Sequence, residues 1–203
     1  ARMAATLDRI SDGRLLINVV TGGDPVELRG DGVFLDHDER YVVTDEFLHI
    51  WRGLMAGETV NFEGRHLRTE NGRVIFTPVQ SPYPPLYFGG SSPAGIEVAA
   101  EHCDVYLTWG EPPEAVAEKI SRVRAAAEEQ GRELKYGIRL HTIARDTSEA
   151  AWAEADRLLA NISEDDIARI QAGLKRSASE GQQRMLALNK GSKDGLEIYP
   201  NLW

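Results

Sequence analysis

The chain has 203 residues, 42% hydrophobic and 27% charged, with a formal net charge of -9 at pH 7. That size and balance support one sizeable folded core, and the acidity argues against nucleic acid or an anionic membrane surface as the main partner. No apolar run reaches the roughly 18 residues that a spanning helix requires, and the single cysteine, Cys103, excludes an internal disulfide and fits a reducing cytoplasm.

Residues 1–10 place Met3, Leu7 and Ile10 at helical spacing, so the chain opens on a helix rather than a signal peptide, and Asp12-Gly13 closes it. Residues 14–21 are a near-continuous apolar run, the pattern of a parallel strand buried on both faces. Asn18 interrupts it. A buried amide needs partners, which makes it either a ligand contact or a satisfied core residue. Residues 25–41 read as a long loop rich in Asp, Gly and Arg, and loops of that length are often functional. A helix over about 44–55 then carries Phe47, Ile50, Trp51 and Leu54 on one face. Residues 57–81 read as an inserted β-hairpin region, with one turn at Glu63-Gly64 and a further strand, Arg73-Val74-Ile75-Phe76, after the turn dipeptide Asn71-Gly72.

From residue 86 the rhythm is regular. Leu86-Tyr87-Phe88 is a short strand, Gly89-Gly90-Ser91-Ser92 a turn, and Pro93 opens a helix that carries Ile96, Val98 and Ala99. A strand at 105–109, a helix at 114–130 ending at Gly131, a strand at 136–143 and a helix opened by Thr147 or Ser148 follow. Strands alternating with helices through short loops make right-handed βαβ units and a parallel sheet. The expected strands lie at 15–21, 86–89, 105–109 and 136–143. An eight-stranded barrel takes about 250 residues, so the fold class is α/β, a partial (β/α)8 TIM barrel with about four of eight βα units. Residues 163–203 leave the rhythm, with a polar amphipathic helix and then a run from Gln182 to Gly191. They read as an insertion and a candidate mobile lid.

Ligands of parallel α/β folds sit at the carboxyl ends of the strands. Those ends hold Asn18 and Thr21, then Gly89 to Ser92, then Thr108 and Trp109, then Arg139 and His141. The Gly-Gly-Ser-Ser turn before a helix offers hydroxyls, free amides and the positive end of the helix dipole, as a phosphate requires. An ordinary turn with Ser92 as N-cap reads from the same residues. Arg139 and His141, two apart on one strand, share a face, where one holds an oxyanion and the other moves a proton. A pair satisfied by carboxylates is the alternative. His37, His49, His66 and His102 show no metal-ligand spacing, so no metal is expected, and His49 and His102 read as surface residues. Cys103, just before a strand, reads as a buried structural thiol.

These segments resemble a known family. Ala1-Arg2-Met3-Ala4-Ala5-Thr6-Leu7-Asp8-Arg9, Gly30-Asp31-Gly32-Val33-Phe34-Leu35-Asp36-His37, Leu86-Tyr87-Phe88-Gly89-Gly90-Ser91-Ser92, Leu107-Thr108-Trp109-Gly110-Glu111-Pro112-Pro113, Gly137-Ile138-Arg139-Leu140-His141 and Gly181-Gln182-Gln183-Arg184-Met185 are similar to the two-component alkanesulfonate monooxygenases. That group belongs to the bacterial-luciferase-like flavin monooxygenases. The resemblance implies a (β/α)8 barrel that takes reduced FMN from a separate NAD(P)H-dependent FMN reductase and uses O2 to release an aldehyde and sulfite from an alkanesulfonate. It implies that Arg139, His141 and Trp109 are catalytic, that Ser91, Ser92 and Gly90 with Tyr41 hold the FMN phosphate, and that Asn18 lies near the flavin ring. A cytoplasmic homotetramer is the implied assembly. The resemblance also implies that residues 1–203 are one domain truncated at both ends, from the third barrel helix into the mobile insertion, and inactive in isolation. Two alternatives stand beside it: a sibling monooxygenase acting on another sulfur or nitrogen compound, and a non-catalytic flavin-binding fragment.

Overall fold

The computed structural model describes residues 1–177, 179–188, 193 and 196–203. Helix α1 (Arg2–Ile10) leads to β1 (Ile17–Val19), the short helix α2 (Pro25–Gly30) and the long helix α3 (His37–Met55). An antiparallel hairpin, β2 (Val60–Glu63) and β3 (Arg68–Gly72), precedes β4 (Leu86–Phe88), α4 (Pro93–His102), β5 (Val105–Trp109), α5 (Pro113–Glu129) and β6 (Lys135–Arg139). Helices α6 (Ser148–Ala160), α7 (Glu164–Lys175) and α8 (Glu180–Leu188) follow. The four strands β1-β4-β5-β6 pair in that order, all parallel, which is the α/β architecture of part of a TIM barrel.

Parallel pairing puts registered residues on the same side. Asn18 lies beside Tyr87, Tyr87 beside Val105, Leu107 beside Gly137 and Trp109 beside Arg139. The alternate residues form the opposite face, where Leu86, Phe88 and Tyr106 pack with Leu48, Trp51 and Met55 of α3, Ala99 of α4 and Val123 of α5 in one core. Each such large side chain contributes about 1.5–3 kcal/mol when it leaves water. Two buried carboxylates tie the irregular segments to this core. Asp8 of α1 accepts from the backbone amides of Val79 (2.8 Å) and Gln80 (2.9 Å) and from the Gln80 side chain (2.7 Å). Burial pushes its pKa up, but these donors and the Leu15 amide outweigh that and hold it below the usual range. Glu46 of α3 accepts from the amides of His66 (2.9 Å) and Leu67 (2.7 Å), and three such backbone donors overcome its desolvation in the same sense.

The structure changes several expectations. The stretch 25–41 is not a loop: Asp24 caps α2 through the amides of Val26 and Glu27, and Asp36 caps α3 through Glu39, so α3 starts seven residues before the expected 44. Its buried stripe runs through Leu48, Trp51 and Met55, while Phe47 is 48% exposed. Asn71-Gly72 ends β3 instead of turning; the turn sits at Gly64–Leu67, where the Glu46 carboxylate gathers the amides, and residues 73–76 form no strand. Strand β6 ends at Arg139, so His141 lies beyond it. His102 is not a surface residue: its side chain is fully buried, between Asp45 and Arg52, and burial pushes its pKa down. Of the run 182–191, residues 182–188 belong to α8 and 189–191 lie outside the described residues. Cys103 is buried, and burial pushes its thiol up to about 12, as a structural thiol requires. No described helix is long and apolar enough to cross a membrane.

Candidate functional site

Strand β4 delivers the chain to Gly89-Gly90-Ser91-Ser92 at its carboxyl end. The Ser92 hydroxyl caps α4 by accepting from the Gly95 amide (3.2 Å), and Pro93 occupies the first helical position without forfeiting a needed donor. The turn is pressed against its neighbours. A Cβ on Gly90 would come within 2.8 Å of the Phe88 ring, and one on Gly95 within 3.0 Å of the Tyr41 hydroxyl. Tyr106 donates its hydroxyl to the Gly90 carbonyl, and burial pushes that phenol's pKa well up, so it stays a donor.

Around this turn lies a cavity of about 180 Å³. Gly90, Ser91 and Ser92 line it with Tyr41 of α3, Trp109 of β5 joins from the next strand, and Val19 to Gly23, from the last residue of β1 onward, close one side. Ser91 is 5% exposed and Tyr41 8%, yet neither hydroxyl has a hydrogen-bond partner among the described residues. The amides of Ser91 and Ser92 are likewise without a described acceptor. Two hydroxyls facing a cavity and unused amides at a helix N-terminus are the donor set of an anion site. Among the described residues the lining contains no Lys or Arg and one carboxylate, Glu180; His37 lines it too, its Nδ1 2.7 Å from Asp38 Oδ1, so attraction for an anion rests on the hydroxyls, the amides, this imidazole and the α4 dipole.

Three of the residues singled out from sequence stand apart from the cavity. Asn18 is exposed on the helix-free face of the sheet, while its neighbours Val19 and Val20 reach the lining. Arg139 stands in register with Trp109 on that same face, exposed. His141 is exposed and two residues past β6. Tyr41, Gly90, Ser91, Ser92 and Trp109 do meet.

The remaining wall was not visible in sequence. Ser179, Glu180 and Gln182 come from the start of α8, about 90 positions after the turn. What seats α8 is Glu111, just after β5, which takes a fork of bonds from Arg184 (Nε 3.0 Å, Nη2 2.6 Å) and another from buried Lys119. Burial pushes Glu111 up, but Arg184 and Lys119 prevail and hold it ionised below the usual range. A single Glu-Pro-Pro and a distant Arg share no period, so only the fold joins them.

The sequence pattern of the Luciferase-like monooxygenase family matches residues 1–203. The chain belongs to that family. Among solved structures, its fold is similar to a riboflavin lyase crystallised with modified FMN and riboflavin (TM-score 0.77, 24% identity, 85% of this chain and 44% of that one). A long-chain alkane monooxygenase (0.73, 24%, 83% and 45%) and DmoA from Hyphomicrobium sulfonivorans (0.72, 23%, 83% and 42%) show the same fold. The chain thus spans less than half the length of each of these structures.

Proposed function

We propose that this chain is the phosphate-holding part of a flavin-dependent monooxygenase that uses reduced FMN and O2 to convert alkanesulfonates to aldehyde and sulfite. The observation that carries the flavin reading is the pair of cavity-lining hydroxyls of Ser91 and Tyr41, without a described hydrogen-bond partner, beside free amides at the α4 N-terminus. They fit a phosphate monoester. Ser91 and Tyr41 donate to its oxygens, Gly90 lets the backbone come close, and Ser92 keeps the helix end open by capping Gly95. When bound, reduced FMN supplies the electrons for oxygen activation. Trp109 walls the cavity on the side towards the sheet face where Arg139 stands, and that guanidinium suits a sulfonate through two parallel bonds. His141 would move a proton nearby, and Asn18 would meet the ring from the same face. The alkanesulfonate itself rests on the motifs around Trp109 and Arg139. A separate NAD(P)H-dependent reductase, a homotetramer and the cytoplasm complete this reading.

A second reading, a sibling monooxygenase with another substrate, draws on the structural neighbours, which include a long-chain alkane monooxygenase and an EDTA monooxygenase. Titrating FMN into the 203-residue chain, followed by flavin fluorescence, tests the phosphate site: Ser91→Ala is expected to weaken binding roughly tenfold. Equal affinity of wild type and variant refutes the site. With a flavin reductase added, the isolated chain is expected to release no sulfite from octanesulfonate. A longer chain that oxygenates other substrates but not sulfonates decides for the second reading.

A further inference from the structure

Helices α3 and α4 both start at the cavity, where Tyr41 meets Gly95, and run away from it side by side. At the far end of α4, about 15 Å from Ser92 by helical rise, Asp45 and His49 of α3 meet Glu101 and His102. We propose that these four side chains bind a divalent transition-metal ion, Zn2+ by their ligand chemistry, that staples α3 to α4.

The geometry is close to what such an ion needs. One ligand atom from each of the four residues lies within 4.8 Å of all the others. His102 Nε2 is 2.6 Å from Asp45 Oδ1 and 3.9 Å from Glu101 Oε1, and His49 Nε2 is 3.2 Å from Glu101 Oε1. Tetrahedral zinc with bonds near 2.0–2.1 Å places its donors about 3.4 Å apart. The present spacings bracket that value, so closure takes side-chain shifts of about 1 Å. Two imidazoles and two carboxylates favour Zn2+ and its transition-metal neighbours over Mg2+ or Ca2+, which take oxygen alone. The spacing Asp45 to His49 is one helical turn on one face, and Glu101-His102 sits at the negative end of α4. Buried His102 gives the site a fixed anchor, while Asp45, His49 and Glu101, with side chains 36–42% exposed, leave a path from solvent.

Arg52 sets the cost. Its Nη1 lies 3.1 Å from His102 Nδ1 and 3.1 Å from the Glu101 carbonyl, and its Nε donates to the Tyr83 hydroxyl at 2.9 Å. An ion on His102 Nε2 displaces the proton shared with Asp45 to Nδ1. Arg52 then gives up one contact and keeps the other two. The other histidine–carboxylate contacts, His37 with Asp38 and His66 with Glu39, each offer a single imidazole, which makes them internal controls.

Titration of the metal-free 203-residue chain with Zn2+ and Co2+ tests the site. One equivalent is expected to bind at micromolar concentration, to raise the thermal midpoint by mass action, and with Co2+ to give the intense visible absorption of four-coordinate geometry. His49→Ala and Glu101→Gln, both at partly exposed positions, should each weaken binding at least about tenfold and remove that absorption, while His66→Ala keeps both. No saturable 1:1 binding, or binding that survives His49→Ala and Glu101→Gln, overturns the proposal.

Discussion

On the helix-covered face of the parallel sheet, Leu86, Phe88 and Tyr106 are at most 1% exposed, whereas Leu16 and Val20, flanking β1 in step with Asn18, are 53% and 73% exposed. Both faces carry apolar residues of the same kind. The difference is the layer above them: α3, α4 and α5 cover one face, and no described element covers the other. An apolar side chain is therefore most fully buried where a helix meets it, and the barer face is the one on which Trp109 stands beside Arg139.

Core truncation should break that contrast most strongly. Phe88→Ala is expected to cost about 3–5 kcal/mol by urea unfolding, and a loss below 1 kcal/mol would mean that the covered face is loosely packed. Next comes Asp8→Asn, which turns into a donor either the oxygen that accepts from the Val79 and Gln80 amides or the one that accepts from the Gln80 side chain, at about 1–3 kcal/mol. Asp8, Glu46 and Glu111 are all held below their ordinary pKa, so their contribution is full above the unfolded carboxylate range. It is lost as pH falls through the lower native values. Buried His102, also held below its ordinary pKa, adds a shallow loss of stability that begins below about pH 6.5, where the unfolded imidazole takes up a proton; the steeper drop, below about pH 4, belongs to the carboxylates and should be shallower in Asp8→Asn. Ser92→Ala, which removes the α4 cap, should cost about 1 kcal/mol. The smallest effect belongs to the bare face: Val20→Ser should change stability by less than about 0.5 kcal/mol, and a large loss would show that this face is covered in solution.

Much of this was legible because local chemistry and fold agreed. The apolar strands, Ser92 as cap, Pro93 at the helix start and Gly131 at its end each follow from one or two residues. Reading 25–41 as a loop failed for a physical reason: Asp24 and Asp36 are N-caps, and their acidic, glycine-rich surroundings mask two helix starts. His102 was misplaced because a polar residue near a helix end reads as exposed, while Arg52 and Asp45, 50 and 57 positions away, pay for its burial. The candidate cavity was half readable, its strand-end residues following from the βαβ order. The α8 wall depends on Glu111 and Arg184, 73 positions apart, which no local pattern connects.

The order β1-β4-β5-β6 also leaves the outer edges of β1 and β6 without a described partner strand. Such edges are templates on which a second chain can add a strand. Here each edge is marked by cations: Lys135 and Arg139 bound β6, and Arg14 precedes β1. A strand seated on either edge would therefore lie beside these cations, where an acidic or neutral strand pairs more favourably than a basic one.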